Sequence, residues 1–356
     1  MRIVVDVAPL SHQRTGVGNY IRGSLLGLAE ADGEHELVAF APVSARGRRT
    51  VDAALAGIEL ERRLPVLPAA HALRTLWSRL GTPPAEIVAG RLDVFHFSDW
   101  MYPPQRAGVR STMVHDLVPL HFPQWVHART RRMHGAKYRN AARTCDVVIV
   151  NSRFTGADVE ETLGIPASRI HVAYPGVEAG FAPDGERREL GRPYALTVAT
   201  LEPRKNLATL VEAYRRVGSA EFALAVAGAA GWGDQPQLDV PGVVRLGYAA
   251  PVELPALYRG ASVFVYPSLY EGFGMPVLEA MACGVPCVVS AHESLDEVCG
   301  SAAVRVDPRD ADSIAHGIEQ ALADRDALVA RGVAHAARFT WLENGRSHLA
   351  AWEAAR

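Results

Sequence analysis

The fold is decided by residues 268–286, which read Ser268-Leu269-Tyr270-Glu271-Gly272-Phe273-Gly274-Met275-Pro276-Val277-Leu278-Glu279-Ala280-Met281-Ala282-Cys283-Gly284-Val285-Pro286. An apolar run at residues 261–267 precedes this stretch, and another at residues 285–289 follows its helical part. The pattern is therefore strand, loop, helix and strand, which is the repeating unit of a parallel α/β sheet.

The turn between the first strand and the helix is suited to holding a ligand. Gly272 and Gly274 can adopt backbone conformations closed to other residues and let a ligand approach the main chain. Pro276 suits a first helical turn, because the N–H group that it lacks would be unpaired there. The N–H groups of residues 273–277 then form a helix N-terminus, which favours an anion or a polar ligand.

Two carboxylates flank this turn. Glu271 precedes it and Glu279 lies about one turn inside the helix, so that one can reach a group in front of the helix and the other a group beside it. Carboxylates accept hydrogen bonds, which makes sugar hydroxyls suitable partners. The alternative is a glycine-rich turn with two surface glutamates, in which Glu279 stabilises the first helical turn through the helix dipole.

Length and composition indicate a two-domain globular protein. At 356 residues the chain is too long for one compact core. No apolar run approaches the roughly 20 residues that cross a bilayer, and the chain begins directly with an apolar strand, residues 2–7, so that no signal peptide is expected. The four cysteines have no metal-ligand spacing. These features predict a cytoplasmic protein with reduced thiols.

Apolar runs alternate with helical segments along both halves of the chain. The predicted strands are residues 2–7, 36–40, 93–97, 111–116 and 146–152 in the first half, and residues 194–200, 223–228, 243–246, 263–267 and 286–290 in the second. Continuous apolar strands separated by helices imply parallel sheets covered on both faces. The predicted fold is therefore α/β with two doubly wound halves, and a ligand is expected beyond the carboxyl ends of the strands, in the cleft between the halves.

A glycine pair, Gly16-Val17-Gly18, follows the first predicted strand and precedes a helix. It matches half of a dinucleotide-binding fingerprint, but Ile21 stands where the third glycine belongs and no acidic residue ends the second strand. A nicotinamide cofactor is therefore disfavoured. A close approach of the two glycines to a phosphate or a substrate is expected instead.

Two further groups of polar residues end predicted strands. His115 and Asp116 end a strand of the first half, where the histidine would face the cleft; the alternative is a buried, hydrogen-bonded histidine. Arg204 and Lys205 follow the first strand of the second half. Arginine can grip phosphate oxygens in a fork and lysine adds a point charge, so that this pair would stabilise a departing diphosphate. The alternative is a solvated basic loop.

The basic surplus of the chain lies in its first half. Residues 1–176 contain 21 Arg and Lys against 16 Asp and Glu, whereas residues 177–356 contain 16 against 23. Residues 73–80 combine leucines and a tryptophan at helical spacing with two arginines, and residues 129–143 hold six basic residues and no acid. Either stretch could rest on an anionic membrane or bind a phosphorylated acceptor. The alternative is the solvated face of an ordinary amphipathic helix, and no motif supports nucleic-acid binding.

Taken together, these motifs resemble the GT-B retaining glycosyltransferases of family 4. Residues 271–286 carry the family's signature of two glutamates separated by seven residues, and three further segments support it in the family's order: Leu201-Glu202-Pro203-Arg204-Lys205-Asn206, Val114-His115-Asp116 and Thr15-Gly16-Val17-Gly18. The resemblance spans nearly the whole chain. It implies two Rossmann-like domains facing across a cleft, with an acceptor-binding domain at residues 1–176, a nucleotide-sugar-binding domain at residues 177–338 and a terminal helix at residues 339–356 that packs back on the first domain.

The resemblance also implies roles for individual residues. His115 would lie at the reaction centre, Glu271 would hold hydroxyls of the donor sugar, and Lys205 would hold the diphosphate. Many family members carry an arginine where this chain has Thr200, so that Arg204 is expected to supply that charge from a different position. The residues expected to contact the donor are Gly16, Gly18, Thr200, Gly272, Phe273, Gly274, Met275, Glu279 (on the ribose), Tyr248 and Leu254. Those expected to contact the acceptor are Val17, Asp116, Asn151 and Ser152.

The activity implied is a metal-independent transfer of a hexose, with retention of anomeric configuration, from a nucleotide-diphosphate sugar to a hydroxyl of a glycan, a lipid-linked or a small-molecule acceptor. No other cofactor is expected. GDP-mannose is the favoured donor, through the resemblance to bacterial polysaccharide mannosyltransferases, with UDP- and dTDP-sugars open. The expected location is the cytoplasm, with peripheral contact of the first domain with the inner membrane face as an option. Two alternatives are a catalytically silent relative that binds a sugar nucleotide and a sugar-nucleotide epimerase of the same fold.

Overall fold

The computed structural model describes residues 1–31, 33–98, 100–231, 233 and 236–356. These residues form two compact units. The first unit contains Met1–Leu120, Ala128–Gly176 and Thr340–Arg356, and the second contains His121–His127 and Val177–Phe339. The C-terminal segment therefore belongs to the same unit as the N-terminus.

The first unit is built on a seven-stranded parallel sheet. Its strands are β1 (Arg2–Asp6), β2 (Glu36–Phe40), β3 (Glu61–Arg63), β4 (Val94–Phe97), β5 (Val109–Val114), β6 (Val147–Val150) and β7 (Ile170–Val172). The order across the sheet is β3-β2-β1-β4-β5-β6-β7. The strand order reverses between β1 and β4, and ligands of doubly wound sheets bind beyond the carboxyl ends of the strands at such a reversal.

The second unit repeats this plan with six parallel strands. They are β8 (Tyr194–Val198), β9 (Ala223–Ala227), β10 (Val243–Gly247), β11 (Val263–Tyr266), β12 (Cys287–Ser290) and β13 (Ala303–Val306). The order is β10-β9-β8-β11-β12-β13. Here the reversal lies between β8 and β11, so the loops that follow these two strands meet at one point of the sheet edge.

Helices cover both sheets. They are α1 (Gly16–Glu30), α2 (Ala45–Ala54), α3 (Ala70–Leu80), α4 (Ala85–Ala89), α5 (Val118–His121), α6 (Ala128–Thr144), α7 (Arg153–Leu163), α8 (Leu207–Val217), α9 (Leu254–Gly260), α10 (Met275–Ala282), α11 (Glu293–Cys299), α12 (Ala311–Ala323), α13 (Arg325–Ala336) and α14 (Trp341–Ala354). Strand residues in the middle of each sheet are buried because helices pack on both faces. The predicted α/β fold of two doubly wound parallel sheets is confirmed.

The last helix, α14, packs against α1 within the first unit. The two backbones approach closely because small residues face each other: a methyl group on Gly27 would overlap the carbonyl oxygen of Trp341. Asn344 fixes the position by donating from Nδ2 to the carbonyl oxygens of Ala173 at 3.1 Å and Tyr174 at 2.8 Å. The C-terminal helix is thus an integral part of the core of the first unit.

Within the described residues, no helix combines the length and the apolarity that crossing a membrane requires.

Candidate functional site

The loop after β11 is shaped by Gly274, which caps the N-terminus of α10. Its φ of +116° lies in the left-handed region, and a Cβ atom there would stand 2.7 Å from the Leu295 side chain, so that only glycine fits. Pro276 occupies the first helical turn, as predicted. The loop also packs against aromatic rings of the second unit. The ring centroids of Tyr270 and Phe122 are 5.1 Å apart, and those of Phe273 and Phe339 are 5.9 Å apart.

The loop after β8 is held against the loop after β11 by hydrogen bonds. A short 3-10 helix, Pro203–Lys205, follows β8, and Asn206 then takes a left-handed conformation with φ +56°, which asparagine tolerates better than most residues. The amide of Asn206 donates to the carbonyl oxygen of Pro267 at 3.1 Å, and the N–H of Leu269 donates to the carbonyl oxygen of Arg204 at 2.8 Å. Segments about sixty residues apart in sequence therefore form one site.

The centre of this site is a buried charge cluster around Glu271. Lys205 Nζ lies 2.6 Å from Glu271 Oε1, and Arg204 Nη1 lies 2.9 Å from Glu271 Oε2. Lys205 also donates to the hydroxyl of Tyr266 at 2.6 Å, and Arg204 Nε pairs with Glu202 at 3.0 Å. Two carboxylates thus balance two cations at the carboxyl edge of the sheet, where the strand order reverses.

Burial and mutual charge shift the pKa values of the residues in this cluster. Burial raises the pKa of Glu271, but Arg204 and Lys205 outweigh this effect and lower that pKa to about 2, so that Glu271 is ionised at neutral pH. Burial and the charge of Arg204 lower the pKa of Lys205, against the opposing effect of Glu271. Burial raises the pKa of Glu202. We refer to Glu202, Arg204, Lys205 and Glu271 as the charge cluster.

The second carboxylate of the signature, Glu279, lies on α10 in a different environment. It is buried, and its Oε2 accepts a hydrogen bond of 2.9 Å from the hydroxyl of Tyr258 on α9. Burial and the charge of Glu279 raise the pKa of Tyr258 well above its usual value, so that the phenol stays protonated and donates. The other expected donor contacts of this unit include Leu254, which is buried at the start of α9, and Tyr248, which is exposed just after β10. Thr200 is half-buried after β8.

His115 and Asp116 lie in the first unit, just beyond the carboxyl end of β5, and both are half-buried. The His115 ring contacts Tyr20 edge to face at 5.1 Å. Burial, together with the charge of Lys137, lowers the pKa of His115 to about 3, so that this imidazole is neutral near pH 7. Asp116 accepts from the N–H of Val118 at 3.1 Å, which orders the start of α5.

The remaining predicted residues of the first unit differ in accessibility. Gly16 and Gly18 lie inside the first turn of α1 rather than in a loop before it. Gly16 is exposed with open space at its Cβ position, whereas Gly18 is buried and a Cβ atom on it would lie 3.5 Å from the Arg14 side chain. Val17 is half-buried. Ser152 is fully buried and caps α7, since its Oγ accepts from the N–H of Thr155 at 2.9 Å. Its neighbour Asn151 is buried as well.

Sequence reasoning missed four residues that support these sites. Glu202 and Tyr266 complete the charge cluster, and Tyr258 orients Glu279. In the first unit the buried Lys137 donates to the carbonyl oxygens of Ser98 at 3.0 Å and Met113 at 2.6 Å, two residues before His115. The rarity of lysine was the available signal, because both lysines of the chain are buried at the carboxyl edges of the sheets.

A metal centre was not expected from the sequence. In the part of the chain that the structure describes, no group of three His, Cys, Asp or Glu side chains could hold a metal ion.

Comparisons with known proteins identify the family. Residues 14–181 match the family described as Glycosyltransferase Family 4, and residues 182–337 match Glycosyl transferases group 1. The chain is 30% identical to the O-antigen chain mannosyltransferase B of Escherichia coli, over 96% of each chain. It is also 32% identical to a D-inositol 3-phosphate glycosyltransferase of Corynebacterium urealyticum, over 57% of this chain and 55% of that one.

Solved structures share the fold. Sucrose-phosphate synthase from Thermosynechococcus elongatus superimposes with a TM-score of 0.74 at 18% identity, covering 99% of this chain and 98% of that chain. Anabaena HepE in complex with UDP and glucose gives a TM-score of 0.71 at 18% identity, covering 98% of both chains. The predicted GT-B fold class is confirmed. The chain belongs to glycosyltransferase family 4 and is a glycosyltransferase.

Proposed function

We propose that this glycosyltransferase moves mannose from GDP-mannose, with retention of anomeric configuration, to a hydroxyl of a lipid-linked or other glycan acceptor in polysaccharide or glycoconjugate synthesis. Two comparisons support the proposal. One relative, which aligns over 96% of this chain, is an O-antigen chain mannosyltransferase. HepE, which shares the fold, binds UDP and glucose, which supports a nucleotide-diphosphate sugar as the class of donor.

The observation that carries the proposal is the charge cluster. Arg204 and Lys205 stand at the carboxyl edge of the second sheet, at the reversal between β8 and β11. This is the position at which doubly wound sheets bind phosphorylated ligands. Both cations pair with Glu271, and Arg204 also pairs with Glu202. When the donor binds, its diphosphate pairs with Arg204 and Lys205 in place of Glu271. The Glu271 carboxylate then accepts hydrogen bonds from hydroxyls of the sugar.

The donor's remaining contacts follow from the same loop. The backbone N–H groups of Phe273, Gly274 and Met275 form the N-terminus of α10 and favour a negatively charged or polar group of the donor. Glu279, held by Tyr258, accepts hydrogen bonds from the ribose hydroxyls. Arg204 takes the place of the arginine that many relatives carry at the position of Thr200.

The reaction needs no protein nucleophile. The bond between the anomeric carbon and the diphosphate oxygen breaks, and an oxygen of the leaving diphosphate accepts the proton of the acceptor hydroxyl. The acceptor oxygen then bonds to the anomeric carbon on the face from which the diphosphate departs. Lys205 and Arg204 stabilise the negative charge that develops on the leaving group. No metal ion is required, because the two cations fill that role.

The first unit supplies the acceptor contacts and the neutral histidine. His115 is neutral at pH 7 because its pKa is about 3, so it can accept or donate a single hydrogen bond to the transferred sugar without adding charge. Asp116 and Asn151 follow the carboxyl ends of β5 and β6, and Val17 lies in the first turn of α1, the helix that follows β1; these residues bind the acceptor. Ser152 contributes by capping α7.

The test combines a donor screen with product analysis. GDP-mannose should stabilise the purified protein against heat more than UDP-glucose, UDP-galactose or dTDP-glucose; saturation at a hundred times the dissociation constant corresponds to about 2.7 kcal/mol. With a mannose-terminated acceptor, the proton NMR spectrum should show an α-mannoside, and EDTA should leave the rate unchanged.

Other results would point elsewhere. Donor binding without transfer to any acceptor of a glycan panel would favour a silent relative, and conversion of the donor in the absence of acceptor would favour an epimerase. A β-mannoside product would contradict retention. Stronger stabilisation by another nucleotide sugar would replace GDP-mannose while leaving the proposed chemistry intact.

A further inference from the structure

Helix α3 exposes leucine side chains and buries an arginine. Leu73, Leu76 and Leu80 are 43%, 51% and 60% exposed, and their spacing places them along one side of the helix. The side that faces the protein carries Arg74 instead, which is only 5% exposed. An ordinary amphipathic helix buries leucine and exposes arginine, so the predicted alternative of an ordinary solvated face does not describe α3.

The next helix along the chain also exposes apolar side chains. Ile87 and Val88 of α4 are 70% and 37% exposed, and α4 follows α3 after a short connection. We call these five side chains the α3–α4 ridge: Leu73, Leu76, Leu80, Ile87 and Val88. Exposed apolar side chains grouped along two successive helices are typical of an interaction site.

Contacts of Trp77 hold α3 in place. The Trp77 ring of α3 packs against Phe40 of β2 at 6.2 Å, and its indole N–H donates to the carbonyl oxygen of Pro83. Helix α3 is therefore anchored to the sheet through Trp77, which flanks the leucines four residues after Leu73. The exposed leucines are a feature of the packed helix and not of a frayed one.

Positive charge borders the ridge. Arg79 is exposed on α3 itself, three residues after Leu76. Arg129 at the start of α6 lies 3.1 Å from His71, which brings the basic N-terminal turn of α6, with the exposed Arg131 and Arg132, next to the N-terminal end of α3. Neither residues 64–85 nor residues 128–145 contain a single acidic residue, although the whole chain has a net charge of −2. The Trp100 ring, 5.1 Å from His71, adds a side chain typical of membrane interfaces.

We propose that the α3–α4 ridge docks on the surface of an anionic lipid bilayer. The leucines enter the boundary between headgroups and acyl chains, while the arginines pair with lipid phosphates. A second copy of the chain fits less well, because a twofold interface would place the same arginines of both copies against each other. The proposal does not depend on which nucleotide sugar is the donor. It places the enzyme where a lipid-linked acceptor is found.

The test is co-sedimentation of the full chain with vesicles. We expect at least about tenfold more binding to vesicles with about 30% phosphatidylglycerol than to pure phosphatidylcholine vesicles. The variant Leu76→Gln/Leu80→Gln should lose about tenfold in binding. Its matched control is Val252→Gln/Leu322→Gln, which changes two apolar side chains that are 84% and 37% exposed on the second unit, and this control should bind like the wild type.

A second pair of variants tests the charge. Arg131→Gln/Arg132→Gln should weaken binding to anionic vesicles, whereas Arg187→Gln/Arg215→Gln, which removes two exposed arginines of the second unit, should not. All four variants change exposed side chains, and unchanged thermal midpoints will show that they are folded. Absence of binding by the wild type overturns the proposal, as does equal binding by the leucine variant. A leucine variant that alters oligomeric state and not vesicle binding would assign the ridge to a second copy instead.

Discussion

Lys205 Nζ lies 2.6 Å from Glu271 Oε1, and both side chains are only 8% exposed. The two residues follow different strands, β8 and β11, which are neighbours in the sheet. Arg204 bonds the other carboxylate oxygen at 2.9 Å. The ion pair therefore joins the two loops on which the proposed donor site depends, and it carries both a structural and a chemical role that experiments can separate.

The structural role predicts a strong dependence of stability on the pairing. Glu271→Gln removes the shared carboxylate from two buried cations, and breaking a buried pair of this kind costs about 3–5 kcal/mol. The double variant Lys205→Met/Glu271→Gln should recover part of that loss, because one of the stranded charges is gone. Urea unfolding of the four proteins in this cycle measures the coupling. Additive losses would show that the two residues do not stabilise each other.

The chemical role predicts a loss of turnover that does not follow stability. Lys205→Met should lower kcat by at least about a hundredfold, because the leaving diphosphate loses a placed cation in a site that excludes water. Glu202→Gln is the matched control, since Glu202 belongs to the same charge cluster but its carboxylate pairs with Arg204 and not with Lys205. It should change kcat far less. Equal effects of both variants would assign the loss to a general disturbance of the loop.

The hydrogen bond from Tyr258 to Glu279 predicts an effect on donor affinity alone. Tyr258→Phe should raise KM for the donor about tenfold with little change in kcat, because a charge-assisted hydrogen bond that orients Glu279 is lost. The same variant should discriminate less between a donor and its 2′-deoxyribose analogue.

Tyr214→Phe provides the comparison for Tyr258→Phe. Tyr214 is also a buried tyrosine of the second unit, and its hydroxyl donates to the carbonyl oxygen of Phe222 at 2.7 Å, away from the signature loop. It should lower stability without changing KM. If both tyrosine variants raise KM equally, Tyr258 has no special connection to the ribose.

Much of this architecture could be predicted from the sequence, because the central strands are continuous apolar runs. The strands that were missed lie at the sheet edges. β3 is Glu61-Arg62-Arg63 and has no apolar residue, β7 has only three residues, and β13 is a four-residue strand interrupted by Arg305. Such strands form because a neighbouring strand offers unpaired backbone groups, a tertiary cause that leaves no local pattern.

The features of the candidate site also divide into those that the local sequence predicts and those that depend on the tertiary fold. Glu271, Lys205 and the turn at Gly274 could be predicted from local sequence, because a glycine-rich turn and a basic loop are recognisable from the residue types within a few positions. Their direct contact could not, because it depends on β8 lying beside β11. The buried position of Arg74 on α3 is also tertiary in origin, and helical periodicity alone predicts the opposite exposure.

Buried histidines predict that the first unit becomes unstable in acid. His115, His134 and His348 have pKa values lowered to about 3, 4 and 4 from 6.5, in each case mainly by burial. Below pH 6.5 the unfolded chain therefore binds protons that the folded unit does not. The free energy of unfolding should fall as the pH drops from 6.5 towards 4, by up to about 1.4 kcal/mol per pH unit for each histidine.

Hydrogen exchange followed by mass spectrometry can locate this acid effect. Amides of β5 in the first unit should lose protection between about pH 7 and pH 5, after correction for the intrinsic exchange rate, more than amides of β9 in the second unit. His134→Gln should reduce the pH slope of the first unit by about one proton. An unchanged slope would show that His134 takes up its proton equally in both states.

The packing of α1 against α14 predicts different effects on stability for alanine substitutions at two glycines of α1, Gly27 and Gly16. Gly27→Ala gains up to about 1 kcal/mol of helix propensity, but its methyl group would overlap the backbone of Trp341, so α14 must move away. A net loss of about 1–3 kcal/mol is expected from such overpacking. Gly16→Ala meets no other atom within 4 Å and should leave the thermal midpoint unchanged. Because the family resemblance implies that Gly16 contacts the donor, the same methyl group should slow transfer. Thermal unfolding and initial rates of both variants test this, and a Gly16→Ala protein with full activity would remove Gly16 from the site.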